Sequence, residues 1–169
     1  MVHIRSTVFL EHFFFSTIAA KSIAEDGTIR LPFGLARTSP ISAYDVARVA
    51  AAVLENPTPH IGKVYELTGP RSQDMNAIAQ EYADALGRPV QYVDVPFDQW
   101  HEQVLKASGL PEHVLDHIHT MAALHADNRY DRFTTDVEKV TGTPAMSIRE
   151  FVASHPEIFR ATASERMRT

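Results

Sequence analysis

The sequence contains no cysteine. That excludes a disulfide framework, a thiolate metal site and a cysteine nucleophile, and makes a cytoplasmic location the default expectation. A basic excess is also missing: 16 Lys and Arg stand against 21 Asp and Glu, and the net charge is −5. The cations form no runs, so the electrostatic footprint of a nucleic-acid binder is absent. Nor is there a long apolar run. The opening stretch, Val8 to Leu10, Phe13 to Phe15 and Ile18 to Ala20, is interrupted by Glu11 and His12 and closed by Lys21. It is too short for the ~20 apolar residues of a membrane span, and it lacks the unbroken apolar centre of a secretory peptide. What remains is 169 residues, 44% hydrophobic and 22% charged, the composition of an ordinary soluble domain.

The order of elements predicts an α/β fold. Val2 to Thr7 reads as a strand and Val8 to Ala24 as a helix, apolar nearly all round at its start and therefore buried on several sides. A turn at Glu25-Asp26-Gly27 leads to a strand from Thr28 to Phe33, with Pro32 at its end. Ser42 and Asp45 have the spacing of a capping box, followed at helical spacing by Val46, Val49, Val53 and Leu54. Lys63 to Leu67 and Val90 to Val95 are strands, separated by a helix carrying Met75, Ile78, Tyr82 and Leu86 and ending at Gly87. This alternation implies right-handed crossovers and a partly parallel sheet. After Pro96 only helices are expected: Phe97 to Ala107, Pro111 to Ala126, Thr135 to Thr141, and Ile148 to Ser154 behind a second capping box, Ser147 with Glu150. Residues 1–96 thus form the sheet side and residues 97–169 a helical side, with a frayed tail from Arg160 to Thr169. The Phe-rich helix offers more apolar surface than so few strands can cover. That mismatch predicts a missing upstream portion, an open sheet edge at residues 2–7, and a homodimer or a complex with a chain covering that edge.

Several pieces together resemble the C-terminal part of NmrA-like proteins, atypical members of the short-chain dehydrogenase/reductase superfamily. Arg5-Ser6-Thr7-Val8-Phe9-Leu10-Glu11-His12 looks like the family's R-P-x-x-F-x-E-N, with Ser6 in place of Pro and His12 in place of Asn. Asp45-Val46-Ala47 opens a helix, Tyr65-Glu66-Leu67-Thr68-Gly69-Pro70 closes a strand, and Ile78-Ala79 is followed by Leu86-Gly87-Arg88. Thr141-Gly142 and Ser147-Ile148-Arg149-Glu150-Phe151-Val152 complete the series. The resemblance implies the last part of a Rossmann-like parallel sheet with a mainly helical substrate-side region. By the same resemblance the protein is an NAD(P)-binding oxidoreductase acting on quinone-like or other small aromatic substrates. The alternative is a non-catalytic NAD(P)-sensing or partner-binding regulator. No two of the seven glycines lie close enough for G-x-G-x-x-G, the turn that lets backbone N–H groups reach a dinucleotide's diphosphate. The superfamily's Y-x-x-x-K pair is absent too: Tyr44, Tyr65 and Tyr130 have Arg48, Gly69 and Thr134 four residues on. Weak NAD(P) binding by this chain alone is therefore expected.

Arg5, Thr7 and Phe9 would by resemblance sit beside the nicotinamide, at the carboxyl end of a strand where open α/β sheets place ligands. Thr7 equally suits a helix cap. Glu11, His12 and Phe13 would border the substrate. His12, with an ordinary pKa near neutrality, could relay a proton or be a satisfied structural histidine. Trp100 could line a lid, or pack a helix on the sheet. His113 and His117, four apart on a helix, have the spacing of a zinc pair, with His101 and Asp116 as further ligands, but no H-E-x-x-H accompanies them and a solvated face is the better reading. No metal is expected.

Overall fold

The computed structural model describes residues 1–160, so nearly all of the expected frayed tail lies outside the described residues. In chain order the elements are β1 (His3–Ser6), a π-helix (Phe14–Ala19) continuing as α1 (Ala20–Asp26), β2 (Thr28–Leu31), β3 (Arg37–Thr38), α2 (Ala43–Glu55), a 3₁₀ turn (Thr58–His60) and β4 (Val64–Leu67). Then follow β5 (Gln73–Asp74), α3 (Met75–Leu86), β6 (Gln91–Asp94) and α4 (Phe97–Trp100), the last running on into a π-helix (His101–Leu105) and a 3₁₀ turn (Lys106–Ser108). The chain closes with α5 (Glu112–Ala126), α6 (Asp136–Thr141), α7 (Ile148–Ser154) and a 3₁₀ turn (Pro156–Phe159).

β1 lies parallel to β4, with Ile4 opposite Tyr65 and Ser6 opposite Leu67. β2 lies parallel to β6, with Ile29 opposite Tyr92. The pairing is what a strand–helix–strand alternation demands, because a parallel neighbour can be reached only by a crossover. The two-residue strands β3 and β5, which pair antiparallel, are too short to leave a periodic trace in sequence. No helix among the described residues is long and apolar enough to cross a membrane.

Two apolar cores hold these layers. The larger joins the first helix to β2, α3, α5 and α7 through side chains such as Phe15, Ile23, Leu31, Tyr82 and Phe151. The smaller packs Val49 and Val53 of α2 and Val137 of α6 against Ile41 and Leu67. Gly69 is fixed by this packing, since a Cβ there would lie 2.2 Å from the carbonyl oxygen of Pro40.

Three expectations are corrected. Residues 8–12 are not helical: Leu10 N–H donates to Ile41 O (2.9 Å) and Ile41 N–H to Val8 O (3.0 Å), so Val8 and Leu10 point inward and Phe9 outward as in a strand. That period of two lies inside a run that also fits a helix. The Phe-rich helix needs no outside cover either, because Phe14 and Phe15 are fully buried by the chain's own later segments. Finally, Ser42 caps α2 by accepting from Tyr44 N–H (3.1 Å), but Asp45 does not close a box with it. The Asp45 carboxylate instead accepts from Met146 N–H (2.7 Å) and from Arg48 (2.5 Å). The second box forms as expected: Ser147 Oγ accepts from Glu150 N–H (3.2 Å) and Glu150 accepts from Ser147 N–H (2.8 Å). These hydrogen bonds hold the Glu150 carboxyl below its usual range.

Candidate active site

The loop leaving the carboxyl end of β1 is clamped at nearly every residue. Thr7 N–H donates to Leu67 O (3.0 Å), and its buried hydroxyl donates to Ser39 O (2.7 Å). Glu11 reaches across to the start of α2, where each carboxylate oxygen lies 3.1 Å from Ala43 N and one also accepts from Ser42 Oγ (3.3 Å). A carboxylate is favoured there by the unpaired N–H groups and the positive end of the helix dipole. Glu11 is therefore the brace that ties the loop to α2. Removing it in Glu11→Ala is expected to cost about 2 kcal/mol, the scale of charge-assisted bonds to a helix N-terminus. Thermal unfolding should record a fall of several degrees, with Glu11→Gln intermediate; an unchanged midpoint would show that the brace carries no load.

His12 follows, half-buried. Phe14 N–H donates to its Nδ1 (3.3 Å), which fixes Nδ1 as the acceptor and puts the ring proton on Nε2. Burial, and secondarily the proximity of His117, lower its pKa. At neutral pH His12 is thus an uncharged imidazole with an N–H to offer. Behind it stands an aromatic wall that the sequence reading missed. His125 is sandwiched between Phe33 (ring centroids 4.3 Å apart, planes nearly parallel) and Tyr130 (4.1 Å), with Phe14 edge-on at 5.4 Å. Its Nδ1 donates to Met121 O (2.8 Å), while the buried Nε2 has no partner among the described residues. Burial pushes its pKa down to about 4. Phe33 is held in place by Tyr92, whose hydroxyl accepts from Phe33 N–H (3.1 Å). A signal for His125 was present: it shares a helical stripe with Ile118 and Ala122, seven and three residues before it, and all three are buried.

Phe13, half-buried, opens onto a cavity of about 410 Å³ between the first helix and residues 103–108. The two π-helical stretches form its walls, contributing Thr17 and Ile18 on one side and Gln103 and Val104 on the other, with Lys21 and Arg30 at the rim. Such wide turns are rare and concentrate at functional sites, and the volume suits a small ligand.

The remaining expected site residues are dispersed. Phe9 keeps about a third of its surface exposed. Arg5 points outward on β1, where it pairs with Glu66 (3.2 Å). Trp100 is fully buried against Phe14 and Phe97, so it supports the core and cannot form a lid. His113 and His117 are exposed on α5, and no three metal-ligating side chains converge among the described residues. The histidine pair that does form, His101 with His119 (Nδ1 to Nδ1, 3.0 Å), packs beside Phe97.

No protein-family model matches the chain. It is 34% identical over 142 residues to the NAD(P)H azoreductase of Xenophilus azovorans, a match covering 84% of this chain and 49% of that protein. Its structure superposes on the NADPH-dependent quinone oxidoreductase of Escherichia coli in complex with NADPH, with a TM-score of 0.76 at 24% identity, covering 91% of this chain and 53% of that one. The negative transcriptional regulator NmrA, in complex with NADP, superposes with a TM-score of 0.69 at 14% identity over 99% of this chain and 54% of its own. The fold is NmrA-like. As in the NAD(P)-binding Rossmann-like reductases of this type, parallel strands are flanked by helices. The chain spans about half the length of the curated relatives it matches.

An NmrA-like fold raises the question of NAD(P), and the described residues do not fit its diphosphate. No glycine stands at the start of a helix, where close backbone approach would be needed. The N-terminus of α2 is filled by Ser42 and Glu11, and that of α3 by Asp74, whose carboxylate accepts from Ala77 N–H (2.9 Å). An anion at either helix end would meet a carboxylate.

Proposed function

We propose that the chain forms the substrate side of a cytoplasmic NAD(P)H-dependent reductase of small aromatic electron acceptors, of the quinone or azo-dye class. The observation that carries this reading is the half-buried His12 in the loop after β1, uncharged, its Nε2–H without a hydrogen-bond partner among the described residues, and next in sequence to Phe13, which lines the cavity. The likeness to an azoreductase and to quinone-reductase structures supports it. In this reading Phe9 lies against the nicotinamide, while Arg5, Thr7 and Glu11 position the loop. Residues 1–96 give the sheet side and residues 97–169 the substrate wall. His12 would hydrogen-bond a carbonyl or azo nitrogen of the acceptor without giving up its proton, a role suited to an imidazole that stays uncharged. The diphosphate cradle belongs to a portion of the enzyme outside residues 1–169.

The test is NADPH oxidation with 1,4-benzoquinone or an azo dye by the protein isolated from its own cell, together with whatever co-purifies. Turnover is expected, and His12→Phe should lower kcat by about 100-fold, as loss of one preorganised donor does, with the melting temperature little changed. The chain by itself should show no thermal shift of several degrees with sub-millimolar NADPH. NADPH binding by the native assembly without any turnover would instead support a cofactor-sensing regulator.

A further inference from the structure

The cavity that Phe13 lines is a slot laid along one face of the first helix. Phe13, Thr17, Lys21 and Glu25 recur every four residues, and all four line it, so it follows the helix from its first turn to its last. Twelve residues at about 1.5 Å each make it roughly 18 Å long. Its character changes over that length. Phe13 stands at one end and Ile18 between, while Lys21 and Glu25 stand at the other. Arg30, on β2, is drawn to the same charged end by its ion pair with Asp26, the last residue of α1.

The two cations at that end have donors to spare. Lys21 Nζ lies 3.9 Å from Glu25, a distance at which no hydrogen bond forms. Arg30 has five N–H groups to offer. It gives one to Asp26, and among the described residues no other hydrogen bond leaves its guanidinium. Asp26 is already occupied, since it also accepts from the main-chain N–H (3.1 Å) and the hydroxyl (2.6 Å) of Thr28, and it does not line the slot. Glu25 is the one acid on the lining, against two cations.

We infer that the charged end of this slot seats a carboxylate or sulfonate carried on the far end of an elongated aromatic acceptor. Lys21 and Arg30 are the residues that select it, and Glu25 opposes it. The inference rests on the reductase reading for what occupies the Phe13 end, but its test needs no turnover.

Azobenzene-4-carboxylate and azobenzene-4-carboxamide have nearly the same length and shape and differ in charge, and both are coloured, so equilibrium dialysis against the full chain gives both dissociation constants. The acid is expected to bind about fivefold tighter than the amide, the scale of two partly exposed ion pairs, and the ratio should shrink as salt is raised. Lys21→Met and Arg30→Met should each lower the ratio by about twofold and the double variant should bring it near one, whereas Glu25→Gln should raise it. Should Arg30→Met unfold the chain through loss of the Asp26 pair, Lys21→Met, at a position whose side chain is mostly exposed, still decides. Equal binding of acid and amide, a preference that survives the double variant, or no binding of either dye near millimolar concentration would each overturn the inference. Preference for the acid without NADPH oxidation by the native assembly leaves the anion seat standing and removes the reductase reading; turnover with binding blind to charge does the reverse.

Discussion

Asp45→Ala is expected to destabilise the protein by about 3 kcal/mol, the cost of stranding the remaining member of a buried ion pair. The carboxylate is 1% exposed and joins three segments. One oxygen accepts from Arg48 Nε and Nη2, and the other accepts from Met146 N–H in the turn before α7. Arg48 in turn donates to Thr141 Oγ1 at the end of α6 and to Pro144 O, so α2, α6 and the approach to α7 share one knot. Alanine leaves a guanidinium with carbonyl and hydroxyl partners only, and a main-chain N–H with none. For a chain of this size each kcal/mol is about 2–4 °C, so the unfolding midpoint should fall by about 6–12 °C. Asp45→Asn, which keeps an acceptor for Met146 but loses the charge, should fall between. The double variant Asp45→Ala with Arg48→Met should cost less than the two single changes combined, since it removes the stranded cation. A fall below about 1 kcal/mol for Asp45→Ala would mean the knot is not what holds α7 in place.

Asp45 also shows why part of the site was legible in sequence and part was not. Capping chemistry is local, so Ser147 and Glu150, three residues apart, could be read correctly from spacing alone. Ser42 and Asp45 have the same spacing, yet the acid is claimed by Met146, 101 residues away, and no local rule can foresee that competition. Strand and helix order survived because a period of two or of 3.6 needs only neighbours. Residues 8–12 failed because Val8, Phe9 and Leu10 satisfy both periods, and the deciding partner, Ile41, comes 31 residues after Leu10. Glu11 was read as a residue bordering the substrate. Its position after the strand was visible, but its bond to the N-terminus of α2 is a tertiary fact. Trp100 was left between a lid and core packing because indole spacing on a helix looks alike whether the ring meets a ligand or Phe14. The aromatic sandwich around His125 draws on Phe33, Tyr130 and Phe14, which no pattern in sequence unites.

That sandwich makes stability depend on acidity in a direction that can be fixed in advance. His125 has a folded-state pKa of about 4 against an ordinary value of 6.5, chiefly because burial disfavours the imidazolium. Between these values the unfolded chain binds more protons than the folded one, so stability falls as pH falls. At 1.4 kcal/mol per unit of pKa difference, the loss relative to neutral pH is about 2 kcal/mol at pH 5 and about 3 kcal/mol at pH 4. His12, lowered by the same cause, adds a smaller loss of the same sign. Protonation would place a charge on Nε2, which has no partner among the described residues to receive the new proton's bond, between two ring faces that tolerate it only in part. Denaturant midpoints measured at pH 7.5, 6, 5 and 4 should trace this decline. His125→Phe keeps the shape and the stacking on Phe33 and Tyr130 but cannot titrate, so its decline over the same range should be smaller by about 2–3 kcal/mol. Equal slopes in the two proteins would show that acid enters through the carboxylates instead, of which Asp26, Asp131 and Glu150 are held low by hydrogen bonds and would lose stability only near pH 4 and below. Since His125 backs His12 through Phe14, the same protonation should loosen the loop after β1, and slower exchange of the Phe14 amide in His125→Phe than in the unaltered protein at pH 5 is the local sign to look for.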